Sequence, residues 1–361
     1  MDASLRIARI KGIEITIHWS LFIILFVLSS YFYTSTEPFG FANLKEFERI
    51  AFSILASVFV FIAVLIHELA HSLVAMRFGV KVKGIMLFIF GGVAMMEKIP
   101  KNPKEELAVA LAGPFASLAI ALLSFIISIN TKGGLSMFFL INAYFNSILT
   151  IFNLIPAFPM DGGRVLRSII ARRTSYSRAT KTAAGIGKAI AIAMGIIGFF
   201  AVNIWLMLIA LFIYLGASEE EKIVTAEDLF SRFSIGDIMT KEVISVTPDT
   251  RIGEVIELMF KHKHLGYPVV KDGELVGIVT LKDIMNADPN TRIEEVMSKE
   301  LLTLSPKERA FEAFRIMSEK GIGRIPVVED GKLVGIVSRS DLMKIKELLE
   351  FLEVLEWKRS S

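Results

Sequence analysis

The chain has 361 residues, of which 53% are hydrophobic and only 21% are charged. This apolar balance excludes an ordinary soluble protein and indicates an integral membrane protein with room for a soluble domain as well. The formal net charge of +3 does not indicate a nucleic-acid partner, and the absence of cysteine excludes both a disulfide scaffold and thiolate-bound metal.

The first hydrophobic segment covers Ile15–Tyr33 and follows the basic residues Arg6, Arg9 and Lys11. It runs on without a small-residue cleavage site, so we expect a retained membrane span rather than a cleaved signal peptide. His18 lies in this segment and could ligate a metal, although an imidazole at a membrane interface is its more ordinary role.

The second hydrophobic segment, Ile50–Met76, contains the sequence His67-Glu68-Leu69-Ala70-His71. A charged carboxylate in hydrocarbon costs at least ~2.5 kcal/mol, so an intramembrane glutamate indicates a functional site. In a helix, His67 and His71 lie one turn apart on one face, where two imidazoles can share one zinc ion. Glu68 between them can accept a proton from the attacking water. The segment therefore predicts a hydrolytic metal centre inside the membrane.

An apolar stretch from Ile85 to Met96 comes next and is interrupted by Gly91 and Gly92. It is too short to span a bilayer, so we expect a re-entrant or interfacial segment packed on protein. Four further spans are predicted, which brings the total to about six: Leu107–Ile129, Leu135–Pro156, Ala183–Val202 and Asn203–Leu215.

The distribution of basic residues predicts the orientation of the spans. Lysines and arginines are concentrated before the first span and in the loops after the second and fourth, whereas the opposite loops hold only Lys45, Arg49 and Lys132. Since basic residues accumulate on the cytoplasmic side, we expect both termini, and everything after Ser218, to be cytoplasmic.

A catalytic zinc site usually needs a third protein ligand in addition to a water molecule. Asp161 follows Pro156 and Pro159, which break the fourth span near its cytoplasmic end. Counting back from Arg77 at ~1.5 Å per residue places the two histidines toward that same face. The matching depth favours Asp161 as the third ligand, although an aspartate that merely ends a helix beside Arg164 would give the same pattern.

Two sequence features together resemble the site-2 protease family of intramembrane zinc metalloproteases. The first is the segment His67–His71, and the second, about ninety residues later, is Asn153 through Pro156 and Pro159 to Asp161-Gly162-Gly163. The resemblance implies that His67, His71 and Asp161 bind one Zn²⁺ and that Glu68 is the general base. It implies hydrolysis of a peptide bond in or near the membrane segment of a protein substrate.

The same resemblance implies residues that bind substrate. Asn153 is expected to contact substrate near the metal, and Gly91 and Gly92 are expected to belong to a re-entrant β-hairpin that pairs with an extended substrate. The sequence Ala112-Gly113-Pro114 is a further family feature.

The residues after Ser218 are richer in charge and contain two copies of one unit. The stretch from Gly266 matches the stretch from Arg324 at one constant offset without gaps, which excludes a chance similarity. Each copy predicts a helix, a strand, an Asp-Gly hairpin, a second strand and a further helix, because the Asp-Gly pair lies between short β-rich runs.

This repeat resembles the cystathionine-β-synthase (CBS) domain pair over roughly residues 233–350, which implies a small α/β module that often forms homodimers. The resemblance also implies an adenine nucleotide whose ribose is held by Thr280 and Asp283 in the first copy and by Ser338 and Asp341 in the second. Because these residue types are equally good helix caps, nucleotide binding and a purely structural role both stay open.

The predicted fold is an α-helical polytopic membrane domain followed by a soluble α/β CBS pair. Its parts are a membrane domain at 1–218, a linker at 219–232, CBS repeats at 233–290 and 291–350, and a tail at 351–361. The predicted function is that of an intramembrane zinc endopeptidase regulated by nucleotide on the cytoplasmic CBS pair. A CBS-regulated cation transporter or channel and an inactive scaffold that binds lipids or partners stay open as alternatives.

Overall fold

The computed structural model describes residues 4–97 and 100–348, so the predicted tail at 351–361 lies outside the described residues. The chain divides into two compact units, Met1–Lys222 and Ile223–Ser361. The exact domain boundaries stay predictions, because helix α7 (Ile204–Phe230) runs without a break through the junction and through most of the predicted linker.

The first unit combines a small sheet with long apolar helices. It begins with strands β1 (Ser4–Ile10) and β2 (Ile13–His18) and helices α1 (Ser20–Thr34) and α2 (Glu46–Arg77). Strands β3 (Val82–Phe88) and β4 (Gly91–Met96) follow, and then helices α3 (Pro103–Asn130), α4 (Gly133–Asn153), α5 (Asp161–Ala171), α6 (Tyr176–Phe200) and α7.

Four helices in the described part of the chain, α2, α3, α4 and α6, are long and apolar enough to cross a membrane. Helix α1 is apolar but has only 15 residues, because the residues before Ser20 form strand β2. The sequence of β2 alternates apolar and polar residues, which is the period of a half-buried strand. The predicted sixth span is the apolar first half of the much longer α7, and the total of six spans stays a prediction.

The four strands form one sheet in the order β1-β2-β3-β4, with β2 and β3 parallel and the other pairs antiparallel. The predicted re-entrant segment is the β3–β4 hairpin, whose turn is completed by Gly91 at a φ of +128°. Such a φ suits only glycine. Within the described chain β4 pairs on one side alone, so its outer edge keeps unpaired backbone N–H and C=O groups.

Local sequence signals set the start of two helices that carry the site. Helix α3 begins where the Asn102 side chain accepts a hydrogen bond from the Lys104 N–H, with Pro103 at the first helical position. Helix α5 begins at Asp161, directly after the irregular stretch that contains both prolines. Asp161 therefore occupies a first turn, where the helix dipole favours a carboxylate.

The second unit holds the two repeats. Its elements are α8 (Ile235–Ile238), α9 (Ile252–His262), β5 (Gly266–Lys271), β6 (Glu274–Thr280), α10 (Leu281–Ile284), α11 (Ile293–Val296), α12 (Ala310–Lys320), β7 (Arg324–Glu329) and β8 (Lys332–Ser338), with residues 339–348 helical. The strands form a sheet in the order β5-β6-β8-β7. The unit has two apolar cores, and each combines residues of both repeats, because Ile235 packs in the core of the second repeat and Ile293 in the core of the first. Asp272 and Asp330 begin the two hairpin turns with positive φ, as Asp-Gly turns require.

Candidate metal centre

Three buried side chains from two helices meet at one point of the first unit. His67 Nε2 lies 3.3 Å and His71 Nε2 3.1 Å from Asp161 Oδ2, and the two Nε2 atoms are 3.1 Å apart. Their exposed fractions are 3%, 4% and 8%. The sequence predicts these three residues at the same depth in the membrane, and the structure brings them into contact. Asp161 lies about ninety positions after the two histidines in the chain.

Helix α3 fixes the orientation of both imidazoles. His71 Nδ1 donates a hydrogen bond to the Val109 carbonyl oxygen at 2.7 Å, and His67 Nδ1 lies 2.8 Å from the Ser117 hydroxyl. With each Nδ1 engaged, both Nε2 atoms face the Asp161 carboxylate. Partners of this kind set the tautomer and ring direction of metal-ligating histidines.

The donor set fits a zinc ion. Two imidazoles and one carboxylate with a fourth position left for water are typical of catalytic zinc. Zinc bonds of 2.0–2.1 Å in a tetrahedral arrangement separate neighbouring ligand atoms by about 3.3 Å. The three observed separations of 3.1–3.3 Å are close to that spacing.

Gly113 lets α3 approach the two histidines. A Cβ at this position would lie 2.5 Å from His67 Nε2 and 2.7 Å from His67 Cδ2, and it would also overlap His71 Nε2. Real Cβ atoms essentially never come this close to other heavy atoms. Gly113 of the Ala-Gly-Pro sequence therefore has a direct steric reason beside the two histidines.

The predicted catalytic and substrate residues lie on helices α2 and α4 and on strand β4. Glu68 is half-buried on α2, and β4 passes beside it, because a Cβ on Gly92 would lie only 2.7 Å from Glu68 Cγ. Asn153 ends α4 and donates a hydrogen bond to the Leu149 carbonyl oxygen at 3.0 Å. His18 is in β2 and lies 2.8 Å from the Ser20 hydroxyl, outside the three-residue metal cluster.

A buried ionic cluster that the sequence did not reveal lies on the same helix as Asp161. Arg167 in α5 is 0% exposed and donates to Glu106 of α3 at 2.5 Å and to Glu220 of α7. Its guanidinium also lies over the rings of Phe158 and Tyr176. The three charged residues are far apart in sequence, and Glu106 resembles an ordinary acidic residue in a first helical turn, so no local pattern marks the cluster.

The predicted nucleotide residues all act as helix caps. Asp283 Oδ2 accepts hydrogen bonds from the Thr280 N–H at 2.8 Å and from its hydroxyl at 2.6 Å, at the start of α10. Asp341 Oδ2 accepts the same pair from Ser338, at 2.9 and 2.6 Å. Hydroxyl and carboxylate thus lie together in each repeat, and nucleotide binding stays a prediction.

Comparison with known proteins gives consistent results for both halves. The family model described as peptidase family M50 matches residues 55–133 and 129–194, and the CBS domain model matches residues 235–290 and 293–347. Zinc metalloprotease MJ0392 of Methanocaldococcus jannaschii is 38% identical over 360 residues, which cover 99% of this chain and 100% of that protein.

Two further matches extend the comparison. Rip3 of Mycobacterium tuberculosis is 30% identical over 370 residues, covering 96% of this chain and 93% of that protein. The solved structure of a site-2 protease from Methanocaldococcus jannaschii has 38% sequence identity and covers 60% of this chain and 95% of its own, with a TM-score of 0.42.

Proposed function

Because the chain belongs to peptidase family M50, the zinc metalloproteases that include the site-2 proteases, and carries a CBS domain pair, we propose that it cleaves a membrane-spanning protein substrate within the membrane. The observation that carries the proposal is the buried convergence of His67, His71 and Asp161. These three side chains would hold the zinc ion that the family implies. When bound, zinc supplies a Lewis acid that polarises the scissile carbonyl and acidifies the attacking water.

The catalytic steps of the protein itself fall to Glu68. Glu68 lies on α2 between His67 and His71, in the same helical turn. Its carboxylate would therefore stand beside the attacking water. Glu68 would accept the proton of that water and pass it to the leaving amine, which is general base and then general acid catalysis by one group. His67 and His71 are held in place by Ser117 and the Val109 carbonyl, so they need no reorganisation during the reaction.

Strand β4 would align the substrate. A membrane helix keeps its backbone amides in internal hydrogen bonds and must unwind before a peptide bond can be attacked. Pairing with the free edge of β4 would replace the lost hydrogen bonds, as in other cases of strand addition. Gly92 lies against Glu68, so a strand paired there would pass the catalytic carboxylate. Asn153 is proposed as an additional substrate contact.

The proposal extends to orientation and regulation. The distribution of basic residues supports cytoplasmic termini and a cytoplasmic CBS pair. The paired hydroxyl and carboxylate at Thr280–Asp283 and Ser338–Asp341 support a ribose site in each repeat, and a nucleotide bound there would regulate access to the metal centre. Because CBS pairs often form homodimers, the proposal includes a homodimer formed through the second unit. A cation transporter is not favoured, because the whole-length relatives are metalloproteases.

The decisive experiment compares the wild-type protein with Glu68→Gln. Purified protein is incubated with a membrane-spanning test substrate, with and without a zinc chelator, and zinc content is measured on the same samples. We expect about one zinc per chain in both proteins, with cleavage only by the wild type and only without chelator. Full activity of Glu68→Gln, or a wild-type protein that binds no zinc, would contradict the proposed function.

A further inference from the structure

A cavity of about 180 Å³ lies between helices α2 and α4 in the first unit. It is lined by Val60 and Val64 of α2 and by five residues of α4, and Asn146 is the one polar side chain among the seven. Ile148 on its lining is 43% exposed, so one side of the cavity reaches the surface of the helix bundle. An apolar space of about 150 Å³ is enough to hold a benzene ring, so this cavity can hold a large apolar side chain.

Asn146 is the unusual residue in this lining. It is only 2% exposed, and its Nδ2 donates to the Asn142 carbonyl oxygen at 2.9 Å, whereas its Oδ1 has no hydrogen-bond partner among the described residues. A buried acceptor without a partner costs about 1–3 kcal/mol. Such groups call for a ligand or a water to complete them. The missing partner must be a hydrogen-bond donor.

The cavity adjoins the catalytic residues. Val64 lies one helical turn before Glu68 on α2, and a Cβ on Gly92 of β4 would lie 3.4 Å from Val64 Cγ1. On α4, Asn146 lies two turns before Asn153 on the same face of the helix. Val64 therefore links the cavity to β4 and lies one helical turn from Glu68, beside the place where the unwound substrate would be received.

We propose that this cavity is a substrate subsite that determines cleavage specificity. It takes one large apolar side chain, such as leucine or phenylalanine, from the unwound segment. The Asn146 side chain then turns so that Oδ1, which is shielded in this structure, accepts a hydrogen bond from a substrate backbone N–H that unwinding has freed. A lipid acyl chain matches the apolar lining but carries no donor for Asn146, which is why a peptide is the favoured occupant. The inference rests on the proposed protease function.

The test fills the cavity and measures selectivity. Val64→Phe places a ring in the cavity, and Val58→Phe, at a 40% exposed position on the same helix, is the matched control. Each protein cleaves a set of membrane-spanning substrates that carry leucine, alanine or phenylalanine in turn at the positions around the mapped cleavage site. We expect wild type and Val58→Phe to favour leucine at one position, and Val64→Phe to lower that leucine-to-alanine ratio in kcat/KM at least about 10-fold.

A second variant tests the hydrogen bond. Asn146→Leu keeps the size of the side chain but removes the acceptor, so we expect kcat/KM to fall about 3- to 10-fold for leucine and alanine substrates alike, with unchanged zinc content. Val64→Ala enlarges the cavity and should shift the preference from leucine toward phenylalanine. This variant also covers the case in which Val64→Phe does not fold.

The possible failures can be told apart. If the wild type binds zinc and cleaves no membrane-spanning substrate, the proposed function itself is wrong. If the wild type cleaves but Val64→Phe and Val64→Ala keep the wild-type leucine-to-alanine and leucine-to-phenylalanine ratios, only the subsite is wrong. If Val64→Phe loses activity equally on every substrate, a lipid chain or the protein core occupies the cavity, and the proposal is overturned.

Discussion

The Gly113→Ala substitution tests the metal centre through a single methyl group. The added Cβ would lie 2.5 Å from His67 Nε2, whereas unstrained contacts between heavy atoms begin near 3.5 Å. The atoms must therefore move apart by about 1 Å, and this has to occur between two packed helices. The Cβ would also stand at little more than a zinc–nitrogen bond length from both Nε2 atoms, in the space that a shared ion needs.

The expected effect on metal binding follows from this overlap. Overpacking a rigid site costs about 1–3 kcal/mol, which corresponds to a zinc affinity about 5- to 150-fold weaker if the strain falls on the bound state. We therefore expect Gly113→Ala to lose zinc to a competing chelator at much lower chelator concentrations than the wild type. Proteolysis should fall in parallel with zinc occupancy, because the bound ion supplies the Lewis acid.

Gly185→Ala on helix α6 is the matched control. A Cβ at Gly185 meets no atom within 4 Å, so this helical glycine can accept alanine without any clash. It should keep wild-type zinc affinity and gain up to about 1 kcal/mol of stability from the lower entropy of the unfolded chain. Equal zinc affinity and equal thermal stability of Gly113→Ala and wild type would refute the steric reasoning.

Three further predictions address the neighbours of the site and the second unit. Ser117→Ala should speed zinc release to a chelator about 10- to 100-fold, because His67 loses its orienting partner. Ser124 is buried two turns further along α3, and Ser124→Ala should release zinc at the wild-type rate. Equal release rates of the two variants would contradict the role of Ser117. Arg167→Met should lower the free energy of unfolding by about 3–5 kcal/mol, because it leaves the buried Glu106 and the partly buried Glu220 without a counter-charge. Thermal or denaturant unfolding measures the change, and an unchanged transition would show that the cluster does not stabilise the fold. Burial and the adjacent Arg324 lower the pKa of His264, so the native state disfavours its protonation. Stability of the second unit should be complete above the unfolded-state pKa of about 6.5 and decline as the pH falls below it; His264→Gln should flatten this slope between pH 7 and 5, and an unaltered slope would contradict the assignment.

Local patterns gave the parts of the fold that depend on residues close in sequence. The spacing of His67 and His71 needs only one helical turn, and the Asp272-Gly273 turn needs only two residues, so both could be predicted. The prediction for Asp161 required two further premises, namely that Pro156 ends the fourth span and that both spans cross the same bilayer, so that depth can be counted from their cytoplasmic ends. The structure places its carboxylate within 3.3 Å of both imidazoles, and the ligation itself stays a proposal.

Other features could not be predicted because they depend on distant partners. Arg167 meets Glu106 and Glu220 only after α3, α5 and α7 have packed, and no period in the sequence relates them. The parallel pairing of β2 with β3 joins strands that helices α1 and α2 separate in the chain. The cavity at Asn146 depends on the gap between two helices, which a pattern of apolar residues along either helix does not reveal.

The unpaired outer edge of β4 has a consequence for how such an enzyme would choose its targets. A strand edge recognises main chain, which every polypeptide shares, so little is read there from side-chain identity. What differs between candidate targets is how readily a stretch of helix gives up its own hydrogen bonds. A glycine in place of alanine weakens a helix by about 1 kcal/mol, or roughly fivefold in the population of the opened form. The ease with which a target helix unwinds would then determine cleavage as much as its sequence does, and stable helices in the same bilayer would not be cleaved.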